Sequence, residues 1–75
     1  MKAFKFSMPK TRPKKNQAYD SNGIGWYDFG SNQQHPCVYT PRGRSAIKGG
    51  DWVINIDGEF YVLTDNAFHI LTRGK

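Results

Sequence analysis

The chain has 75 residues and a formal charge of +5, from eleven Lys and Arg against six Asp and Glu. A chain this short buries only about 60% of the surface its unfolded form exposes, which leaves one small domain and excludes a deep catalytic cavity with a supporting shell. Cys37 is the single cysteine; this excludes an internal disulfide and suits a reducing cytoplasm, and no apolar run has the length of a membrane span.

The charge is unevenly placed. Residues 1–15 hold Lys2, Lys5, Lys10, Arg12, Lys14 and Lys15 with no acid, whereas the remainder holds five basic residues against six acids. An arm that meets an anionic surface is the expectation. The opening MKAFKF starts positively, but Ser7, Pro9 and Lys10 interrupt it before a secretory signal core can form.

In chain order, FKFSM (4–8) alternates Phe4, Phe6 and Met8 against Lys5 and Ser7, the period of a half-buried strand with a lysine guarding its edge. PKTRPKKNQ (9–17) has two prolines, four cations and no apolar residue, and reads as an extended, mobile arm. NGIGWYDFG (22–30) is a short strand with Ile24 and Trp26 on one face and Tyr27 and Phe29 on the other. SNQQHP is a polar loop. CVYT (37–40) and RSAI (44–47) form a hairpin through Pro41-Arg42-Gly43, where proline sets the first corner and glycine follows.

GDWVINIDGEFYVL (50–63) is the most patterned stretch. Asp57-Gly58 tolerates the positive φ of a type I′ turn, so Ile56 faces Glu59, Ile54 faces Tyr61 and Trp52 faces Leu63 on one side of the ribbon. Val53–Val62 and Asn55–Phe60 form the other side. Both faces are apolar, which places this hairpin at the centre of a sheet with a cover over its second side. In TDNAFHILTRGK, Thr64 or Asp65 caps one helical turn, and the alternation of Phe68, Ile70 and Thr72 predicts a last short strand. The expected fold is mainly β: a small antiparallel sheet of about five short strands (hairpins 37–47 and 52–63), a flexible basic arm, and at most one helical turn near 65–68. Residues 1–17 form the edge strand and arm, and 18–75 a single β domain.

The chemical material is thin. Asp57 and Glu59 flank a hairpin corner, which is normally exposed and solvated, whereas an acid–base pair needs carboxylates that converge on a pocket. Asp51, after Gly49-Gly50, reads as a turn residue. His35, Cys37 and His69 lack the paired spacing of a zinc site. No phosphate-binding P-loop is present, and Gly23-Ile24-Gly25 precedes a strand instead of a helix. No catalytic residue, metal or cofactor is expected. Cations and aromatics remain: Lys10, Arg12, Lys14 and Lys15 on the arm with Arg42 and Arg44 at a hairpin tip as partner-binding residues, and Trp26, Tyr27 and Tyr39, with Phe29, as stacking surfaces for bases.

Gly50, Asp51, Trp52, Val53 and Ile54, then Gly58, Glu59, Phe60 and Tyr61, then Asp65 and Phe68, resemble a Gly-Asp-Trp…Gly-Glu-Phe-Tyr cassette found in short bacteriophage-encoded proteins. The resemblance covers residues 38–70, with Gly49 where the cassette usually has proline, and it carries over no catalytic or binding residue. It implies a phage gene product in the host cytoplasm. Such a product would be a non-enzymatic accessory protein, monomer or weak dimer. Its arm and sheet would bind an acidic surface of a host machine such as RNA polymerase or a defence nuclease. The alternative expectation is a DNA- or RNA-binding protein without sequence preference. Neither involves a membrane.

Overall fold

A computed structural model describes residues 2–73; the first residue of the expected arm and the last two of the expected domain lie outside the described residues. Among the described residues, six strands and one helix follow in order: β1 (Lys2–Lys5), β2 (Ile24–Tyr27), β3 (His35–Thr40), β4 (Gly43–Ala46), β5 (Trp52–Ile56), β6 (Glu59–Leu63) and α1 (Asp65–Arg73). The chain is mainly β and antiparallel, as expected. Its six strands form two three-stranded sheets instead of one sheet of about five, in the orders β1-β5-β6 and β2-β3-β4.

The β5–β6 hairpin has the register that the sequence dictates. Asp57 and Gly58 take φ of 56° and 87°, and all five expected cross-strand pairs form, from Ile56↔Glu59 to Trp52↔Leu63. The hairpin is not central as a unit: β5 is flanked by β1 and β6, while β6 is the outer strand of its sheet. The β3–β4 hairpin is tighter than expected, because Thr40 pairs with Gly43 and only Pro41-Arg42 lie in the loop. The Thr40 hydroxyl holds that turn, donating to the Gly43 carbonyl (2.8 Å) and accepting from the Arg42 N–H (3.1 Å).

The two sheets share one core. Val53 from β5, Ile24 and Trp26 from β2, Val38 from β3, and Phe6 and Ile47 from flanking segments are buried together, with Phe60 and Val62 packed against them. Alternation explains the selection: Val53↔Val62 is the inward pair of its hairpin, and Ile24↔Val38 is the inward pair of the other sheet. Phe6 follows β1, and its backbone still pairs, donating to the Asp51 carbonyl (2.8 Å) and accepting from Gly50 N–H (2.9 Å). Of the three expected apolar residues in 4–8, only Phe6 is buried; Phe4 and Met8 are exposed.

Residues 7–16 carry no regular secondary structure, consistent with their prolines and charge. The segment is nevertheless no free tail. Gln17 exchanges both backbone hydrogen bonds with Trp26 (2.8 and 2.9 Å), and Arg12 Nη1 donates to the Gln34 carbonyl at 3.0 Å. A loose leader is therefore replaced by a cationic loop tied at each end and once between.

The expected strand at 68–72 is also corrected. Residues 65–73 form a nine-residue helix. Thr64 caps it, its hydroxyl accepting the Ala67 N–H at 3.1 Å, while Asp65 in the first turn and Arg73 in the last complement the helix dipole. The Phe68 ring stacks on Trp52, with centroids 3.7 Å apart and planes 9° apart. That stack supplies the cover over the second face of β5–β6. Phe68, Ile70 and Thr72 share no buried face: Phe68 packs on Trp52, while Ile70 and Leu71 are both exposed.

Candidate nucleic-acid interface

The face of β2-β3-β4 that points away from the core is aromatic. Register places Tyr27 opposite His35 and Gly25 opposite Cys37, with Tyr39 opposite Arg44. Those residues alternate with the buried Ile24, Trp26 and Val38, so they share the outer side. Tyr19, from the segment leading into β2, lies across Gly25; a Cβ there would come within 2.8 Å of its ring. The absence of a side chain at Gly25 is what lets the tyrosine ring pack this close to the strand.

Arg44 organises the group. Its Nε donates to the Tyr19 hydroxyl at 2.8 Å, and its guanidinium sits 4.2 Å from the centre of the Tyr27 ring and 5.9 Å from that of Phe29. Tyr19 in turn lies 5.6 Å from Tyr27 and 6.0 Å from Tyr39 between ring centroids. The hydrogen bond to Tyr19 raises the pKa of Arg44 further, so the cation is permanent. Partial burial pushes the Tyr19 phenol up against the opposing pull of Arg44; it stays neutral and donates or accepts as required. Cys37 lies beneath, wholly buried, its thiol raised by burial and directed at the Gly25 carbonyl (3.6 Å).

Phe29 extends the face. It is 51% exposed yet held at φ 50°, a left-handed conformation that bulky residues rarely adopt. The turn that imposes it is closed by Ser31 N–H to the Asp28 carbonyl (2.8 Å) and Gly30 N–H to the Asp28 carboxylate (3.1 Å). Backbone strain that displays an aromatic ring to water is a pointer to function. Its ring neighbours His35 at 6.4 Å, and Gln34, next to His35, is where Arg12 is anchored.

The structure thus brings Tyr27, Tyr39 and Arg44 together, with Arg42 exposed in the adjoining turn and Arg12 at the His35 end of β3. Lys10, Lys14 and Lys15 are exposed on the anchored loop. Trp26 is corrected as a stacking candidate: at 7% exposure it is core, tilted against Phe6 at 6.3 Å, because β-alternation turns it inward where Tyr27 turns out. Tyr19 was not singled out from the sequence, although Asp20-Ser21-Asn22-Gly23 is a legible turn that folds it back over β2.

The carboxylates serve local geometry. Asp51 accepts the Lys48 N–H at 3.1 Å, Glu59 accepts the Tyr61 hydroxyl at 2.9 Å, and Asp57 sits in the type I′ turn. Among the described residues no group of three His, Cys, Asp or Glu could hold a metal ion, and no helix is long and apolar enough to cross a membrane. No protein family, no curated protein and no solved structure matches the chain.

Proposed function

We propose that the chain is a non-catalytic module that binds single-stranded nucleic acid across the outer face of β2-β3-β4. The observation that carries this reading is the cluster of Tyr19, Tyr27, Tyr39 and Phe29 around Arg44, with Tyr39 62% and Phe29 51% exposed. Exposed rings accept any base by stacking, each worth about 1–3 kcal/mol. Arg44 is fixed through Nε and its ring contact, which leaves the outer edge of its guanidinium for a phosphate or a base edge. Arg42 and the lysines of the anchored loop supply further phosphate contacts. A duplex, whose bases are already stacked, gains little from such a surface.

Fluorescence anisotropy with labelled octauridylate and a matched duplex tests this. The single strand should bind more tightly than the duplex. With three or four phosphates neutralised, log K should fall with log salt at a slope of about −2 to −3. Tyr39→Ala should weaken binding by the stacking energy of one base, on the order of tenfold or more, and Arg44→Ala by at least as much. No single-strand binding at low salt, or binding indifferent to both substitutions, refutes the proposal.

A second reading is favoured by a different surface. Ile70 and Leu71 of α1 are 59% and 65% exposed, which suits a protein partner of the kind the phage cassette suggests, an acidic host machine engaged by the cationic loop. Capture of one stoichiometric protein from a bacterial lysate, lost in Leu71→Glu but kept in Tyr39→Ala, would support this reading over nucleic acid.

A further inference from the structure

The outermost strand of the aromatic sheet carries backbone groups without partners. β4 is the last strand of β2-β3-β4. Ile47 N–H donates to the Pro36 carbonyl at 3.1 Å, and Thr40 pairs with Gly43 across the two-residue loop. Antiparallel alternation then turns the N–H and C=O groups of Gly43 and Ser45 toward β3, and those of Arg44 and Ala46 away from it. Among the described residues no hydrogen bond reaches the backbone of Arg44 or Ala46, and both residues are exposed.

The other sheet edges are guarded or covered. Lys2 and Lys5 stand at the ends of β1, Gln17 pairs with Trp26 on the open side of β2, and the Thr40-Pro41 turn lies beside Phe60, Tyr61 and Val62 of β6. A long cation on an edge strand normally blunts it, but on β4 that cation is withdrawn. Arg44 is drawn back over the sheet by its 2.8 Å bond to the Tyr19 hydroxyl and its seat 4.2 Å from the centre of the Tyr27 ring. Only the small residues Gly43, Ser45 and Ala46 remain along the edge. Beside it lies a groove of about 290 Å³, lined by Thr40, Pro41, Arg42, Ser45, Tyr61 and Val62. Ser45 pairs with the buried Val38 and shares its inner side, so a residue set opposite Ser45 on an added strand would send its side chain into that groove. Residues 41–48 carry Arg42, Arg44 and Lys48 with no acid, which gives the edge a positive field.

We infer that the β4 edge takes an extended acidic segment of a partner protein, added antiparallel as a further strand in the pattern acid, apolar, acid. The two acidic residues lie opposite Arg44 and Ala46, exchange main-chain hydrogen bonds with them, and place their carboxylates on the outer side with Arg44. The apolar residue between them lies opposite Ser45 and enters the groove beside Tyr61 and Val62. A second copy of β4 fits less well. In a two-fold pairing centred on Ser45, Arg42 would oppose Lys48 across the interface, and only a serine would reach the groove. The edge is distinct from the stacking rings, so the inference stands apart from the single-strand reading.

Nuclear magnetic resonance titration with an acetylated decapeptide of alternating glutamate and valine tests the inference. Binding should slow amide exchange at Arg44 and Ala46 and leave Gly43 and Ser45 as they were. Two methylated peptides separate backbone pairing from charge. Methyl groups on the glutamate nitrogens remove the donors that would face β4, whereas methyl groups on the valine nitrogens remove only donors that face solvent. The first should bind at least tenfold more weakly than the second, the loss of two main-chain hydrogen bonds. Ala46→Pro removes an outward donor and spares the ladder to β3; it should weaken the parent peptide by a similar factor, and Tyr39→Ala should not. Far-ultraviolet circular dichroism confirms that each variant is folded. Equal affinity for the two methylated peptides, or binding indifferent to Ala46→Pro, overturns strand addition. Absence of binding by the parent peptide at millimolar concentration overturns the acidic segment. A concentration-dependent doubling of mass in the free protein, lost in Ala46→Pro, overturns it in favour of a second copy.

Discussion

Replacing Gly23 by alanine isolates one packing contact on which the junction of the two sheets depends. Gly23 has φ +83°, and a Cβ there would lie 2.6, 2.8 and 2.9 Å from three ring atoms of Phe60. The backbone term for an L-residue in the left-handed region is about 1–2 kcal/mol, and overpacking adds about 1–3 kcal/mol. Phe60 is half-buried and can retreat toward solvent, so the lower part of the packing range applies and a total of about 2–4 kcal/mol is expected. At about 0.05–0.15 kcal/mol per residue, a chain of this length has only about 4–11 kcal/mol of stability in total. Gly30 supplies the control, since it has the same φ of +83° and nothing within 4 Å of a Cβ. Gly30→Ala should therefore cost the backbone term alone. Urea unfolding followed by the fluorescence of Trp26 and Trp52 measures both, and Phe60→Leu in the Gly23→Ala background should recover part of the loss. If Gly23→Ala is no less stable than Gly30→Ala, the ring of Phe60 does not rest on Gly23, and the packing assigned to this junction is wrong.

Three further outcomes are expected. Cys37 is fully buried and its thiol is raised by burial, so a thiol reagent should label the native protein on the order of a thousandfold more slowly than the urea-unfolded chain; fast labelling with native circular dichroism would contradict the assigned packing. The Asp65 carboxyl is held below its ordinary range by the Trp52 indole N–H, and then by Lys5 and His69. Its folded-state pKa is depressed, so its contribution is complete above the unfolded value and is lost as pH falls through the lowered one; the thermal midpoint of Asp65→Asn should fall less steeply than wild type below about pH 4. Thr64→Ala removes the cap of α1 and should cost about 1 kcal/mol, read as faster amide exchange in residues 66–69, with Thr64→Ser close to wild type.

Local chemistry made the hairpins legible. Asp57-Gly58 sets both turn type and register, and once register is set every facing pair in 52–63 follows. The division into two sheets was not legible, because β1 joins β5 across most of the chain and no local pattern encodes such a pairing. The helix was missed for a related reason. Phe68, Ile70 and Thr72 alternate as a strand would, and the deciding interaction is tertiary: Phe68 stacks on Trp52, sixteen positions away in the sequence. The basic run 10–15 was correctly located by composition, but its tether was not, since Arg12 binds a backbone carbonyl, which has no sequence signature. Of the candidate site, Tyr27 and Tyr39 were legible as aromatics and Arg44 as a cation at a hairpin tip, without the register that brings them together. Trp26 was named on the same ground, and its alternation with Tyr27 turns it inward instead. Tyr19 becomes part of the site only through the space that Gly25 leaves.

The pairing of β1 with β5 also orders events during synthesis. Lys2–Lys5 meets partners about fifty residues downstream, so the first strand leaves the ribosome with nothing to pair with until residue 56 has followed it. The 35–46 hairpin closes on neighbours and can form while translation continues. The first strand of the fold is thus among the last to find its place. Lys2 and Lys5, at the two ends of that strand, help keep it from adhering to other nascent chains while it waits.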